Sequence, residues 1–324
     1  MIFDSESVFE ENVITVLKQH GWKDGVLRYP TERDLLDNWK GILYRNNNDI
    51  DRLGKYPLTD GEMTQIIEQI ETLRTPLALN SFVNGRTVSI TRDNKEDVAH
   101  FGKEVSLYIY DRKEIAGGKS TYQIAQQPVY PAKNKMLNSR RGDLVLLING
   151  MPLIHIELKK SGIPVSQATN QIEKYAHEGV FTGLFRLVQI FVAMTPDDAV
   201  YFANPGADKF NPSYYFHWAD YNNEPICGGQ HPGKDEWKLF IGGTSGTAGL
   251  LSIPMAHQLI GFYTIADSAD GCLKVLRSYQ YIAANAISDV VRKCDWEQRP
   301  ATPGRPGGYV WHTTGSGKTM TSFK

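Results

Sequence analysis

Two apolar segments joined by Asn149-Gly150 constrain the fold of this chain more than any other feature. The first segment, 143–148, reads DLVLLI, and the second, 153–158, reads LIHIEL. Asn-Gly adopts the left-handed backbone of a tight turn readily, so the pattern predicts a β-hairpin. It is the clearest local structure in the sequence.

Helical and strand-like patterns alternate on both sides of this hairpin. Apolar residues at helical spacing predict helices over 5–20, 61–73, 166–177 and 273–291. Alternating or continuous apolar runs predict strands over 87–90, 106–110, 122–124 and 187–194. Residues 21–60 are interpreted as polar and turn-rich. Strands mixed with helices in this order predict an α/β fold, a mixed β-sheet flanked by helices.

Three charged residues stand at the ends of the two hairpin strands. Asp143 begins the first strand, and Glu157 and Lys159 end the second. Residues two apart on a strand share a face, so Glu157 and Lys159 project together. Phosphodiester hydrolysis needs carboxylates to hold a hard cation and a cation to steady developing charge. The segment therefore predicts a metal-dependent DNA-cleaving site, with Asp143 and Glu157 as metal ligands.

The register of the hairpin tests this prediction. A straight ladder with a two-residue turn places Asp143 opposite Ile156, on the face away from Glu157. A three-residue loop, or a bulge with the same effect, places Asp143 on the face of Glu157. The functional interpretation requires the second arrangement.

Taken alone, Glu-x-Lys is common at the solvated end of a strand. Asp143 in an otherwise apolar setting favours a catalytic role, and so do Gln171 and Tyr175, which lie four apart on one face of the following helix. His155 is interpreted as a strand residue that makes one hydrogen bond, not as a metal ligand.

A glycine-rich loop follows the apolar run 309–311. Backbone N–H groups in such a loop cradle phosphates, its lysine reaches the outer ones, and its threonine binds magnesium. Histidine stands at 312, where the strict pattern has glycine. The predicted phosphate-binding residues are Thr314, Gly315, Ser316, Gly317, Lys318 and Thr319. Upstream, Arg277, Tyr279 and Gln280 resemble the adenine-reading glutamine motif of helicase-like motors, and a glutamine amide can both donate to and accept from adenine.

The order of these motifs resembles the type I restriction enzyme motor subunits. Their PD-(D/E)xK nuclease domain carries D…(E-x-K) and then Q-x-x-x-Y, and a superfamily-two helicase-like ATPase domain of the RecA-like type begins with T-G-S-G-K-T. The resemblance implies Lys159 as base or charge stabiliser, and Gln171 and Tyr175 as residues that orient the site. This chain has Gly142 where the motif name has proline. Nucleases of this class also use an acid from an early helix, so Glu10 and Glu11 are both candidates.

The resemblance also implies cofactors and partners. It implies Mg²⁺ and ATP, double-stranded DNA as substrate, and methyltransferase and specificity subunits as partners, with S-adenosylmethionine on a partner subunit. Two alternatives stay open: a DNA translocase whose nuclease domain is inactive, and a non-enzymatic docking module for the methyltransferase core. Since the sequence ends five residues past Thr319, no ATPase activity is expected of this piece alone.

Length and composition complete the expectations. A chain of 324 residues suits about two domains. We predict a nuclease domain over 1–226, a glycine-rich interdomain loop over 227–249 and the start of an ATPase domain over 250–324. The net charge of −1 does not point to nucleic acid, so a DNA contact must be local. Its candidates are Lys133, Lys135, Arg140 and Arg141.

Cysteine usage and hydropathy bear on location. The three cysteines are far apart, with no Cys-x-x-Cys pair, which argues against a disulfide framework or a zinc site. Neither a secretory signal nor a long apolar stretch is visible. We therefore expect a cytoplasmic protein without a membrane segment.

Overall fold

The computed structural model describes residues 2–131, 140–207, 209–228, 235–293 and 309–323. Its α-helices are α1 Glu6–Gln19, α2 Glu32–Asn46, α3 Asp60–Thr72, α4 Pro76–Asn84, α5 Val165–His177, α6 Glu236–Gly242, α7 Met255–Gly261, α8 Ser278–Lys293 and α9 Lys318–Phe323. Its strands are β1 Val26–Arg28, β2 Thr87–Thr91, β3 Glu104–Tyr108, β4 Tyr122–Gln126, β5 Leu144–Ile148, β6 Met151–Leu158, β7 Ile190–Met194, β8 Ala199–Ala203, β9 Thr264–Asp267 and β10 Cys272–Val275. The predicted mixed α/β fold, a mixed sheet flanked by helices, is confirmed.

A six-stranded mixed sheet organises the molecule in the order β1-β4-β5-β6-β7-β8. The pairs β1–β4 and β6–β7 are parallel, and the other three pairs are antiparallel. The parallel pair β6–β7 requires a crossover, which α5 and the short 3-10 helix at 183–187 supply. The hairpin β5–β6 therefore occupies the centre of the sheet.

The turn of this hairpin is tight, with two residues. Ile148 pairs with Met151, and Asn149 and Gly150 both have positive φ, 52° and 84°. A Cβ on Gly150 would come within 2.8 Å of the Trp39 Cα, so α2 leaves no room there for a larger residue. The three-residue loop considered from the sequence is wrong.

A bulge achieves the register that the functional interpretation required. Leu147 pairs with Pro152, but Leu146 pairs with Ile154, so Leu153 is the extra residue. From there the ladder continues to Leu144 opposite Ile156. Continued by one residue, this register brings Asp143, just before β5, to the face of Glu157, and the two charges interact.

Apolar side chains cover both faces of the sheet. Ile154, Ile156 and Leu158 of β6 belong to the large core, which also contains side chains of α1, α2 and α3. The opposite face packs beneath α5, whose Ala168 and Ile172 form a smaller cluster with residues of β7 and β8. Because side chains alternate along a strand, His155, Glu157 and Lys159 emerge on this second face.

Helix α2 is absent from the sequence-based prediction, which interpreted 21–60 as turns. Its N-terminus is a capping box: the Thr31 hydroxyl accepts from the Asp34 backbone N–H, and Asp34 accepts from that of Thr31. Leu35, Trp39 and Leu43 then bury at helical spacing. Intervening charged residues hid this stripe. The prediction for 273–291 is also partly wrong, since its first residues form β10 before α8 begins.

Two segments of the C-terminal part, 227–249 and 309–311, differ from what their sequences suggest. Within the predicted loop 227–249, residues 236–242 form α6, whose Trp237 makes edge contacts to Phe3 and Phe9 in the large core. Domain boundaries there stay a prediction, and residues 229–234 lie outside the described part. The apolar run 309–311 shows no strand; Tyr309 and Trp311 are exposed. A buried strand needs paired neighbours, and no described residue pairs with this run.

Candidate active site

Asp143, Glu157 and Lys159 meet at one end of the central hairpin. The Asp143 Oδ2 accepts a hydrogen bond from the Leu158 backbone N–H at 2.7 Å, which fixes that carboxylate beside β6. The Lys159 ammonium donates to the Glu157 Oε1 at 3.3 Å and to the Leu158 carbonyl at 2.9 Å. The structure thus brings the three predicted residues together.

Burial gives the two carboxyl groups unusual acid–base properties. Glu157 is fully buried and Asp143 is partly exposed. Removal from water raises the pKa of Asp143 to about 8 and the pKa of Glu157 to about 7, and for Asp143 the neighbouring Glu157 charge adds to this. A site that makes two carboxylates costly to ionise favours a cation placed between them.

Two buried polar atoms in this site lack a hydrogen-bond partner. They are the Glu157 Oε2 and the His155 Nε2, which lie 3.4 Å apart. An unpaired carboxylate oxygen is a vacant ligand, and carboxylate oxygens are the donors that Mg²⁺ prefers. Within the described residues no group of three His, Cys, Asp or Glu side chains converges to hold a metal. Two carboxylates suffice for Mg²⁺, which keeps several waters and shares substrate phosphate oxygens. Asp143 and Glu157 therefore fit such an ion.

Helix α1 brings two acidic side chains toward the site. Glu6 lies 3.6 Å from the Lys159 ammonium. Glu10 is buried, and it accepts hydrogen bonds from the side-chain amides of Gln126 and Gln127. Burial raises the pKa of Glu10, and the Asp143 charge contributes to this rise.

Glu11, the other early acid, shares the Gln126 side-chain amide with Glu10 and also binds Arg28. Its carboxylate forms a half-exposed ion pair with Arg28 at 2.7 Å, as expected of a helix-surface glutamate. Glu10 is buried, and its charge interacts with that of Asp143.

Helix α5 fastens the strand that leads into Asp143. The Gln171 amide donates to the Tyr175 hydroxyl at 2.7 Å, and this hydroxyl donates to the Arg141 carbonyl at 2.9 Å. The pair therefore holds the backbone two residues before Asp143, not the reacting atoms.

The predicted basic patch is only partly described. Lys133 and Lys135 lie outside the described residues. Arg140 forms an ion pair with Glu178 at 2.9 Å. Arg141 is exposed, its guanidinium lies 5.8 Å from the Tyr29 ring centroid, and the described part of the chain gives it no ion pair. Arg141 is thus the candidate with a charge available for a phosphate.

The glycine loop contacts the start of α8. The Gln280 amide donates to the carbonyls of Ser316 and Gly317, and the Tyr279 hydroxyl also donates to Ser316. The Gln280 Oε1 accepts from the Arg277 backbone N–H. The side-chain amide of Gln280, a predicted adenine-reading residue, therefore holds the glycine loop in place.

Within the loop, Gly315 and Gly317 have positive φ, 78° and 77°. Thr314, Lys318 and Thr319 are exposed. The Lys318 ammonium folds back onto the carbonyls of His312 and Thr313. Charged phosphate oxygens would compete well with these two neutral carbonyls for the Lys318 ammonium.

Sequence reasoning missed two residues of this region. Tyr130 is buried and its hydroxyl lies 2.8 Å from the His155 Nδ1. Gln127 has a positive φ of 47°, and its backbone N–H donates to the Asp143 carbonyl at 2.7 Å. A buried histidine beside an acidic strand position was the available signal for Tyr130; nothing in the sequence marked Gln127.

The mixed sheet flanked by helices is consistent with the PD-(D/E)xK nuclease fold. The family model of the type I restriction enzyme R protein N terminus matches residues 4–210. The chain therefore belongs to the type I restriction enzyme R protein family. A second model, that of the SWI2/SNF2 ATPase, matches residues 279–324, which agrees with a helicase-like domain beginning there.

Relatives cover the whole chain. A type I restriction enzyme endonuclease subunit of Staphylococcus saprophyticus is 31% identical over 330 residues, 100% of this chain and 30% of that protein. One from Staphylococcus aureus strain MSSA476 is also 31% identical, with the same coverage. The EcoprrI endonuclease subunit of Escherichia coli is 26% identical over 96% of this chain and 90% of that sequence. The chain thus spans about 30% of the length of the staphylococcal relatives.

Among the described residues, no helix is both long enough and apolar enough to cross a membrane.

Proposed function

We propose that this chain provides the DNA-cleaving site of a type I restriction endonuclease and the first part of its ATP site. The observation that carries the proposal is that the Asp143 and Glu157 charges interact, with the Lys159 ammonium 3.3 Å from Glu157 and the Glu157 Oε2 unpaired among the described residues. A purely structural hairpin gains nothing from placing two buried ionisable groups and a third, partly exposed one together, because each costs desolvation energy.

The side chains divide the work. Mg²⁺, when bound, supplies a Lewis acid that polarises a phosphate oxygen and activates water. Asp143 and Glu157 are the residues that would hold it, with carboxylates oriented by the Leu158 N–H and by Lys159. The Lys159 ammonium stands where it can stabilise the negative charge that develops on the phosphate, or transfer a proton to or from the attacking water.

The same proposal extends to the substrate and the nucleotide. Arg141, exposed and close to Asp143, is suited to a phosphate of double-stranded DNA. The loop from Thr314 to Thr319 would hold the phosphates of ATP, with Arg277, Tyr279 and Gln280 beside the base. In the complete subunit we propose ATP-driven translocation, with methyltransferase and specificity subunits supplying recognition and S-adenosylmethionine binding.

Plasmid cleavage by the assembled complex tests the nuclease proposal. The full-length subunit, with its partner subunits, Mg²⁺ and ATP, should cut DNA, whereas Asp143→Ala and Lys159→Ala should lower cleavage by at least about 100-fold. Both variants should hydrolyse ATP as the wild type does, which shows that the motor is intact.

Arg33→Ala serves as the matched control. Arg33 is an exposed arginine of α2 whose ion pairs are with Asp37 of α2 and Asp60 of α3. Neither acid belongs to the hairpin, so cleavage should be unchanged. A wild-type complex that hydrolyses ATP but leaves the plasmid intact would refute the nuclease proposal and favour a translocase with an inactive nuclease domain.

A further inference from the structure

His155 occupies a position that the proposed mechanism does not use. It is fully buried on β6, two residues before Glu157 and on the same face. Aromatic rings of Tyr130, Tyr175 and Phe181 lie within 6.3 Å of its ring. A histidine enclosed by aromatic rings loses hydration at both ring nitrogens, so each nitrogen needs a protein partner.

One nitrogen has such a partner. The Tyr130 hydroxyl lies 2.8 Å from the His155 Nδ1. Among the described residues the other nitrogen, Nε2, has none, and it lies 3.4 Å from the Glu157 Oε2, which also lacks one there. Two buried polar atoms that lack partners and face each other are a complementary pair when one is a donor and the other an acceptor.

The tautomer decides which atom is the donor. If Nδ1 held the ring proton, the Nε2 lone pair would face a carboxylate oxygen and repel it. If the Tyr130 hydroxyl donates to Nδ1, the ring proton lies on Nε2 and points at the Glu157 Oε2. Tyr130 and Glu157 together therefore select one neutral tautomer.

Gly142 supplies an independent observation. A Cβ at this position would lie 2.5 Å from the Tyr130 hydroxyl and 3.0 Å from the His155 Cε1. Real Cβ atoms do not approach so closely, so the Tyr130–His155 pair fits only beside glycine. The departure from the motif name at this position follows from the space that the pair occupies.

We propose that His155 is a positioning residue for Glu157, oriented by Tyr130 and admitted by Gly142. Its Nε2–H holds one carboxylate oxygen while Lys159 holds the other, so the carboxylate plane is fixed from both sides. Fixed carboxylates bind a cation with less loss of entropy, and hydrogen bonds to ligating carboxylates tune their affinity for metals. This inference rests on the proposed metal site.

Mn²⁺ binding to the full 324-residue chain tests it without any cleavage assay. Free Mn²⁺ is followed by electron paramagnetic resonance during titration. His155→Leu removes the N–H donor and should weaken Mn²⁺ binding about tenfold or more. His155→Gln keeps an N–H at a similar reach and should stay within about threefold of the wild type. Equal losses in both variants would overturn the proposal, because packing alone would then explain them.

Phe191→Leu is the packing control. Phe191 pairs with His155 across β6 and β7 and lies in the same aromatic cluster, but it donates no hydrogen bond. Its Mn²⁺ affinity should match the wild type. A folded His155→Leu with wild-type affinity would refute the proposal.

Tyr130→Phe decides the question if His155→Leu does not fold. It removes only the hydroxyl that selects the tautomer, so Mn²⁺ binding should weaken measurably, and unchanged affinity would overturn the proposal. Asp143→Asn separates this inference from the proposed function. If the wild type binds no Mn²⁺, both the proposed function and the present inference fail. If the wild type binds Mn²⁺ and Asp143→Asn does not, the metal site stands. Unchanged affinity in the His155 and Tyr130 variants would then refute only the present inference.

Discussion

Asp143 and Glu157 interact at one end of the central hairpin, although the turn alone would have placed Asp143 opposite Ile156. The bulge at Leu153 makes the difference, and the Leu158 N–H then binds the Asp143 Oδ2 at 2.7 Å. Two carboxyl groups consequently share one largely buried face. This relationship governs how the protein responds to pH, to metal and to substitution.

Asp143→Asn should stabilise the metal-free chain, and more so at high pH. The pKa of Asp143 is raised in the folded state to about 8. Between the unfolded pKa, near 4, and about 8, the folded state holds a proton that the unfolded state releases, so wild-type stability falls as pH rises through this window. The asparagine has no such loss and still accepts from Leu158. Urea unfolding in EDTA should show a gain at least about 2 kcal/mol larger at pH 9 than at pH 5.

An exposed acid provides the comparison. Asp51→Asn, which makes the same change at an exposed surface loop residue, is measured at the same two pH values. If Asp143→Asn gives an equal change at both values, Asp143 is already ionised in the metal-free fold.

Mg²⁺ binding should release protons near pH 7. Burial raises the pKa of Glu157 to about 7 and that of Asp143 to about 8, so both groups are partly protonated in the metal-free protein at this pH. A cation binds only the ionised form. Calorimetric titration of Mg²⁺ in buffers of different ionisation enthalpy should therefore give enthalpies that vary with the buffer. The variation should shrink at pH 9, and buffer-independent enthalpies at pH 7 would contradict the raised pKa values.

Gly142→Ala should destabilise the protein by about 1–3 kcal/mol, the usual cost of overpacking. The new Cβ would meet the Tyr130 hydroxyl at 2.5 Å and the Tyr130 Cε2 at 2.9 Å. Adding Tyr130→Phe removes only the first of these contacts, so the double variant should recover part of the loss. Urea unfolding of the two single variants and the double variant measures the coupling. Strictly additive effects would show that Gly142 does not contact Tyr130.

Sequence reasoning located the site because its chemistry is local. Asp143, Glu157 and Lys159 lie within a 17-residue stretch, and the apolar residues between them fix the alternation of faces. Helix α5 was equally readable, since a clear apolar stripe accompanies Gln171 and Tyr175. The spacing of apolar residues did not predict the bulge. A tight turn followed by a bulge gives the same sequence pattern as a longer loop.

Other elements depend on contacts far apart in the chain. Helix α2 is stabilised by Trp39 and Leu43, which bury against partners that only the fold supplies, and its charged surface obscured the stripe. The surroundings of Glu10 depend on Gln126 and Gln127, more than a hundred residues away, whose side-chain amides donate to its carboxylate. Tyr130 reaches His155 across the sheet. Such pairings are set by topology, not by local propensity.

Tyr175→Phe should reduce both stability and cleavage without abolishing metal binding. The Tyr175 hydroxyl donates to the Arg141 carbonyl and accepts from Gln171, so its removal leaves a partly buried carbonyl unpaired and costs about 1 kcal/mol. Mn²⁺ affinity should change less than in Asp143→Asn, because Tyr175 touches no carboxylate. Cleavage by the assembled complex should fall with the affinity for DNA, since the anchored segment carries Arg141. Gln171→Ala leaves the hydrogen bond from Tyr175 to Arg141 in place, so it should lower stability and cleavage less than Tyr175→Phe does. A larger effect for Gln171→Ala would mean that the Gln171 amide, not the Tyr175 hydroxyl, fixes this segment.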